Sequence, residues 1–180
     1  MKYLTIYKDS ISDGTGFRVS LYVSGCRNHC PGCHNPESWS FEAGKEFTDK
    51  EVNEILDLCS SSFIAGLTLA GGEPFEEENQ KVLVNLVEKF KTRFPEKTIW
   101  AFTGYEFKDL RPGGKKYCED ITSKILGFID VLIVGPFVLA ERDITDANRW
   151  RGSRNQRVLD VPKSLLADKP IMLEGIPNND

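Results

Sequence analysis

Three cysteines, Cys26, Cys30 and Cys33, stand in one short loop with the spacing Cys-x-x-x-Cys-x-x-Cys. Thiolates are soft ligands that suit zinc or iron–sulfur clusters. Gly25, Pro31 and Gly32 let the backbone of that loop fold tightly around a bound object. The number of thiols is informative. A structural zinc site is normally closed by four Cys or His ligands, and a ferredoxin-type 4Fe–4S cluster takes four cysteines. Three thiolates on such a cluster leave one iron open to a substrate. The alternative is a zinc site with His29 or His34 as the fourth ligand. Cys59 and Cys118 have no cysteine near them. Cys59 falls on the apolar side of an expected helix, and both read as buried or half-buried thiols.

A second candidate is Gly71-Gly72-Glu73-Pro74, directly after an apolar run. Two glycines let a ligand approach the backbone closely, and Glu73 offers a carboxylate to a cationic group. Alone, the motif reads more readily as a plain strand-to-helix turn. Asp13 and Arg18 read either as an Asp-Gly turn with a solvated strand-end arginine or as partner contacts. Arg149 to Arg157 carries four arginines and no acid, which suits a carboxylate or a partner surface. Trp150 and the Gly152-Ser153 pair interleave with those arginines and favour that reading over a solvated face.

These residues are carried by an alternation of short apolar runs and amphipathic stretches. Strands are expected at Arg18–Ser24, Ile64–Ala70, Thr98–Phe102 and Asp130–Val134 from their β-branched and apolar content. Helices are expected at Thr48–Ser60, Glu77–Phe94 and Tyr117–Leu126, the first with Thr48 and Glu51 as a capping box. Strands alternating with helices indicate βαβ units, an α/β fold and a mostly parallel sheet. In such folds ligands sit beyond the carboxyl ends of the strands. Gly25–Cys33, Gly71–Glu73, Thr103–Tyr105 and Gly135–Phe137 would then surround one site.

At 180 residues the chain has the length of one domain, residues 1–180, with a tail after about 160. Its 40% hydrophobic and 28% charged residues are those of a soluble globular protein. A net charge of −4 argues against nucleic acid as a partner. No signal-peptide or membrane-spanning run is expected. The expected compartment is therefore the cytoplasm, where clustered cysteines serve metals more often than disulfides.

Taken together, the three-cysteine loop of 25–39 and the glycine motif one βα unit later resemble the radical S-adenosylmethionine superfamily. Further blocks resemble its glycyl-radical-enzyme activases, the class III (anaerobic) ribonucleotide reductase activating family in particular. They are Asp13-Gly14-Thr15-Gly16-Phe17-Arg18, Cys33-His34-Asn35-Pro36-Glu37-Ser38-Trp39, Trp100–Tyr105 and Trp150–Arg157. The resemblance spans about Lys2 to Asp160. It departs from the family at Thr15, which stands for a proline, and at Val134, which stands for an acid before Gly135.

The resemblance implies a partial, open (β/α) barrel. It implies a 4Fe–4S cluster on Cys26, Cys30 and Cys33, with S-adenosylmethionine on the fourth iron. Gly71, Gly72 and Glu73 would hold the amino end of that molecule, and Gly32, Cys33 and His34 would border its adenine. A one-electron reductant such as flavodoxin would drive its cleavage to methionine and a 5′-deoxyadenosyl radical. That radical would take hydrogen from a glycine loop of the large subunit of an anaerobic ribonucleotide reductase. Rival readings are an activase of pyruvate formate-lyase type, a small-molecule enzyme such as a carboxy-deazaguanine synthase, and a non-catalytic zinc-binding module.

Overall fold

Alternate apolar side chains decide which face of each strand meets the helices. In the computed structural model, which describes residues 1–145 and 149–176, seven strands form one sheet in the order β3-β1-β2-β4-β5-β6-β7. They are β1 (Lys2–Ser10), β2 (Phe17–Val23), β3 (Lys45–Glu46), β4 (Ile64–Gly71), β5 (Thr98–Phe102), β6 (Val131–Val134) and β7 (Arg157–Asp160). The central four, β2, β4, β5 and β6, run parallel. The pairings β1/β2, β1/β3 and β6/β7 are antiparallel. The expected parallel sheet is thus the middle of a mixed, open one.

Helices α1 (Asp49–Cys59), α2 (Glu77–Arg93), α3 (Ile121–Phe128) and α4 (Val161–Ala167) complete the fold. Val19, Leu21, Val23, Leu67, Leu69, Ile99, Ala101, Leu132 and Leu159 pack with the apolar stripes of all four helices in one core. Each such side chain, once buried, contributes roughly 1.5–3 kcal/mol. The helices therefore lie on one face of the sheet. The other face carries Arg18, Ser20, Tyr22, Thr68, Ala70, Trp100 and Phe102, the alternate residues of the same strands. There a second, smaller cluster joins Trp100, Val131, Ile133 and Val158 to Trp150, Leu173 and Ile176.

Local chemistry explains the element ends. The Thr48–Glu51 capping box starts α1, with the Thr48 amide 2.8 Å from Glu51 Oε2. Helix α3 starts four residues later than expected, because Asp120 takes a left-handed φ of 64° and breaks the run from Tyr117. The segment after residue 160, expected as a tail, is folded. Asp160 caps α4 by accepting from the Lys163 amide at 3.0 Å, and the chain returns so that Leu173 N donates to Val158 O at 2.8 Å. Residues 177–180 of that segment lie outside the described residues. Among the described residues no helix is long and apolar enough to cross a membrane.

Candidate functional site

The carboxyl ends of the parallel strands open on a cavity of about 450 Å³. Cys26, Cys30, Cys33 and His34 come to its wall from the loop after β2, Gly71, Gly72 and Glu73 from the end of β4, and Thr103 and Gly104 from the end of β5. Gly135 and Phe137 follow β6, and Trp150, Arg151, Gly152 and Gln156 precede β7. All four segments expected to converge do so. Asp13, Tyr22, Asn28 and Trp39 complete much of the rest. Gly32 does not line the cavity. It takes a left-handed φ of 74°, and a Cβ there would lie 2.8 Å from Leu139. His29 stacks on Trp39 at 4.6 Å.

Main-chain hydrogen bonds fasten the cysteine loop to the glycine motif. Gly72 N donates to Val23 O at 2.8 Å, Glu73 N to Gly25 O at 2.9 Å, and Cys26 N to Trp39 O at 3.1 Å. The two glycines are required by this approach. Gly71 has φ 97°, and a Cβ on Gly72 would stand 2.7 Å from Gly25 O and 3.1 Å from Ser38 O. Gly72 therefore makes room for the cysteine loop, a role beside the expected approach of a ligand to this backbone.

Burial pushes the Cys26 thiol up to about 11, against amide hydrogen bonds from Asn28 and His29. Burial also raises Cys30, opposed by the Phe137 amide. Among the described residues no group of three or more His, Cys, Asp or Glu side chains is gathered to hold a single metal ion. The three thiols all line this cavity, a donor set that fits a cluster whose irons each take one thiolate. Cys59 is fully buried in the helix-side core, and Cys118 is half-buried beside Gln80.

Glu73 is 1% exposed. Its carboxylate accepts from Phe75 N at 2.9 Å, Thr103 Oγ1 at 2.9 Å, Gly104 N at 2.8 Å and Asn28 Nδ2 at 3.2 Å. Burial lifts its carboxyl to about 7 despite these donors. Its hydrogen bonds tie the ends of β4 and β5 to the cysteine loop.

Asp13 is buried at the cavity edge, accepting from Ser10 Oγ at 2.7 Å and Tyr22 OH at 3.1 Å. Arg18 is neither solvated nor placed to touch a partner. It is 0% exposed, and its guanidinium donates to Thr68 Oγ1, Thr15 O, Thr98 Oγ1, Leu67 O and Thr98 O at 2.7–3.2 Å. Burial lowers its pKa to about 10. Its partners are neutral oxygens in the middle of β4, at the amino end of β5 and in the loop before β2, so it clamps the start of β2 to its neighbours, away from the strand end that leads to the thiols.

Among the four arginines of 149–157, Arg151 is the one that lines the cavity, at 5% exposure. Arg149 lies over the Trp150 ring, and Arg157 bonds the carbonyls of 154, 155 and 156. Gln156 holds the segment in place, accepting from Gly152 N at 2.8 Å and donating to Gly135 O at 2.9 Å. Reading by motif missed Asn28, Glu76 and Asn79. The one available signal was the cluster of polar residues in the first turn of a helix that follows a glycine motif.

The family described as a 4Fe-4S single cluster domain matches residues 12–159. The chain is 39% identical over 158 residues to the anaerobic ribonucleoside-triphosphate reductase-activating protein of Enterobacteria phage T4, covering 88% of this chain and 93% of the relative. It is 40% identical over 159 residues to the protein of that name in Pasteurella multocida (strain Pm70), covering 87% and 95%. It is 34% identical over 161 residues to the one in Escherichia coli (strain K12), covering 88% and 97%.

Proposed function

The chain belongs to the anaerobic ribonucleoside-triphosphate reductase-activating proteins of the 4Fe-4S single cluster domain family, and on that premise we propose that it is a radical S-adenosylmethionine activase. The observation that carries this reading is the convergence of three thiols with the Gly71–Glu73 motif of a separate βα unit on one cavity. Residues 1–180 act as one unit. The open sheet, with helices on one face and the cavity at the carboxyl ends, is a partial (β/α) barrel.

Cys26, Cys30 and Cys33 would hold a 4Fe–4S cluster and leave it open to S-adenosylmethionine. Bound there, the cluster would supply the one electron for reductive cleavage of S-adenosylmethionine to methionine and a 5′-deoxyadenosyl radical, and that radical would take hydrogen from a glycine of the reductase. The backbone of Gly71 and Gly72 and the carboxyl group of Glu73 orient the amino end of the substrate. The backbone of Cys33 and His34 borders the adenine, and Gly32, outside the cavity wall, gives the turn that presents them. Phe102, Phe137 and Trp150 give the cavity apolar walls that exclude water from the reacting carbon. The cavity opens to solvent, so a glycine loop of the reductase's large subunit enters there and closes it. The electron comes from a one-electron donor such as flavodoxin, and the compartment is the cytoplasm.

The test is a mixture of the iron-loaded protein, S-adenosylmethionine, a strong reductant and an anaerobic ribonucleotide reductase. A doublet paramagnetic signal should form on the reductase, collapse when its glycine is deuterated at Cα, and pass deuterium into 5′-deoxyadenosine. Cys26→Ala, Cys30→Ala and Cys33→Ala should each abolish it. Transfer only from pyruvate formate-lyase would reassign the partner. A colourless protein with zinc and no 5′-deoxyadenosine would sink the activase reading.

A further inference from the structure

We propose that Glu76 is a positioning residue of the cysteine loop. Its carboxylate holds the main chain just after Cys26 and balances the two cations paired with it, Arg27 and Lys116. The inference rests on the reading of Cys26 as a cluster ligand.

Glu76 is the residue before α2 and is 0% exposed. Its Oε1 accepts from the main-chain amide of Arg27 at 3.0 Å and from Tyr105 OH at 3.2 Å. Its Oε2 accepts from Arg27 Nη1 at 2.7 Å and from Lys116 Nζ at 2.6 Å. Three of these four bonds thus reach the loop or the two cations beside it, and the fourth joins the residue to Tyr105 beyond the end of β5. Three residues on, Asn79 donates to Ser24 O at 3.0 Å and to Glu73 O at 2.9 Å. The main chain is therefore gripped on both sides of Cys26, two residues before it by Asn79 and one after it by Glu76. Both grips come from one turn that also carries the glycine motif, so the ligand loop and the substrate-binding segment share a rigid mount.

The charges are balanced as well. Arg27 also bonds Glu78 at 2.6 Å, so two cations, Arg27 and Lys116, face two carboxylates, Glu76 and Glu78. A buried ion pair that loses one partner leaves a charge uncompensated. Changing Glu76 to a neutral residue therefore leaves one net positive charge next to Cys26. A positive charge favours the reduced, more negative cluster.

Glu76→Gln keeps the shape and one acceptor oxygen, enough for the Arg27 amide, and loses the charge together with the second acceptor that faces Arg27 Nη1 and Lys116 Nζ. The reduction potential of the loaded variant should move to a more positive value. In the double variant Glu76→Gln/Arg27→Gln the balance is restored, and the potential should return toward that of the parent. A purely structural role would lower the melting temperature without this reversal. In iron-free protein, hydrogen exchange of the peptide spanning Gly25–Cys30 should be faster in Glu76→Ala than in the parent and near the parent rate in Glu76→Gln. Unaltered exchange in Glu76→Ala overturns the grip on the main chain. An unaltered potential in Glu76→Gln, or one that the second change does not reverse, overturns the charge balance. The exchange experiment needs no cluster, so failure of the parent to load iron would count against the activase reading and leave the positioning role judged by exchange.

Discussion

Replacing Gly72 by alanine adds one methyl group, and the structure says where it goes. The new Cβ would stand 2.7 Å from Gly25 O and 3.1 Å from Ser38 O, whereas carbon and oxygen ordinarily meet at about 3.3–3.6 Å. A displacement of roughly 0.6–0.9 Å is required by that comparison. Both obstacles are main chain, and both are tied: Gly25 N donates to Ser38 O at 2.8 Å, and Glu73 N to Gly25 O at 2.9 Å. Overpacking of this kind costs about 1–3 kcal/mol. At about 2–4 °C per kcal/mol for a chain of this size, the melting temperature should fall by roughly 2–12 °C. The movement falls on the residue before Cys26, so iron and sulfide content after reconstitution should fall with it. Gly104→Ala is the control. Its Cβ would lie 2.3 Å from Asn28 Nδ2, the end of a side chain that can rotate away with loss of the 3.2 Å bond to Glu73. That variant should keep its iron. Full iron content and an unchanged melting temperature in Gly72→Ala would refute the argument that backbone contact, not ligand access, demands glycine at 72.

Two further outcomes follow from buried charge. Arg18→Met should cost more than about 3 kcal/mol, because charged hydrogen bonds contribute about 1.5–3 kcal/mol each and five acceptors lose their donor; urea unfolding checks this, and a loss under 1 kcal/mol would contradict it. Glu73 has its pKa raised to about 7 by burial, so the native state binds more protons than the unfolded chain between the ordinary carboxylate range and pH 7. Its contribution to stability is then present at low pH and is lost as pH rises through about 7. Thermal melts of iron-free protein should show this slope in the parent and not in Glu73→Gln; parallel pH profiles would contradict it.

The helix-side core was legible in the chain. Val52, Ile55, Leu56 and Cys59 recur at helical spacing, and Val19, Leu21 and Val23 alternate, so α1 and β2 follow from period alone. Strand β1 was not legible, because Thr5, Ile6 and Tyr7 stay partly or largely exposed and no clean alternation marks a buried face. Strand β7 and α4 were hidden for a different reason. Arg157–Asp160 is four residues long, and it is a strand only because β6 offers it an edge. Arg18 shows the same limit at a single site. An arginine at a strand start is normally solvated, and only the arrival of Thr68 and Thr98 from strands 50 and 80 residues away supplies acceptors for its burial.

The site was more legible than its supports because backbone conformation dictates residue type at the strand ends. Gly25, Gly71 and Gly135 all leave a parallel strand with left-handed φ values of 92°, 97° and 105°, a region that side chains make costly. A glycine after an apolar run therefore reports a chain turning at the sheet edge, and three such turns at one edge report a cavity. The end of β5 differs. Gly104 has no such φ, and its missing side chain leaves space for Asn28, a tertiary reason that nothing local could announce. Val134 follows the same logic. It is 2% exposed in the core beneath the helices, so the residue before Gly135 is directed away from the cavity and its apolar character follows from packing. At that strand end the cavity wall is built instead from Gly135 and Phe137, which places backbone and an aromatic residue, rather than a carboxylate, beside Cys30.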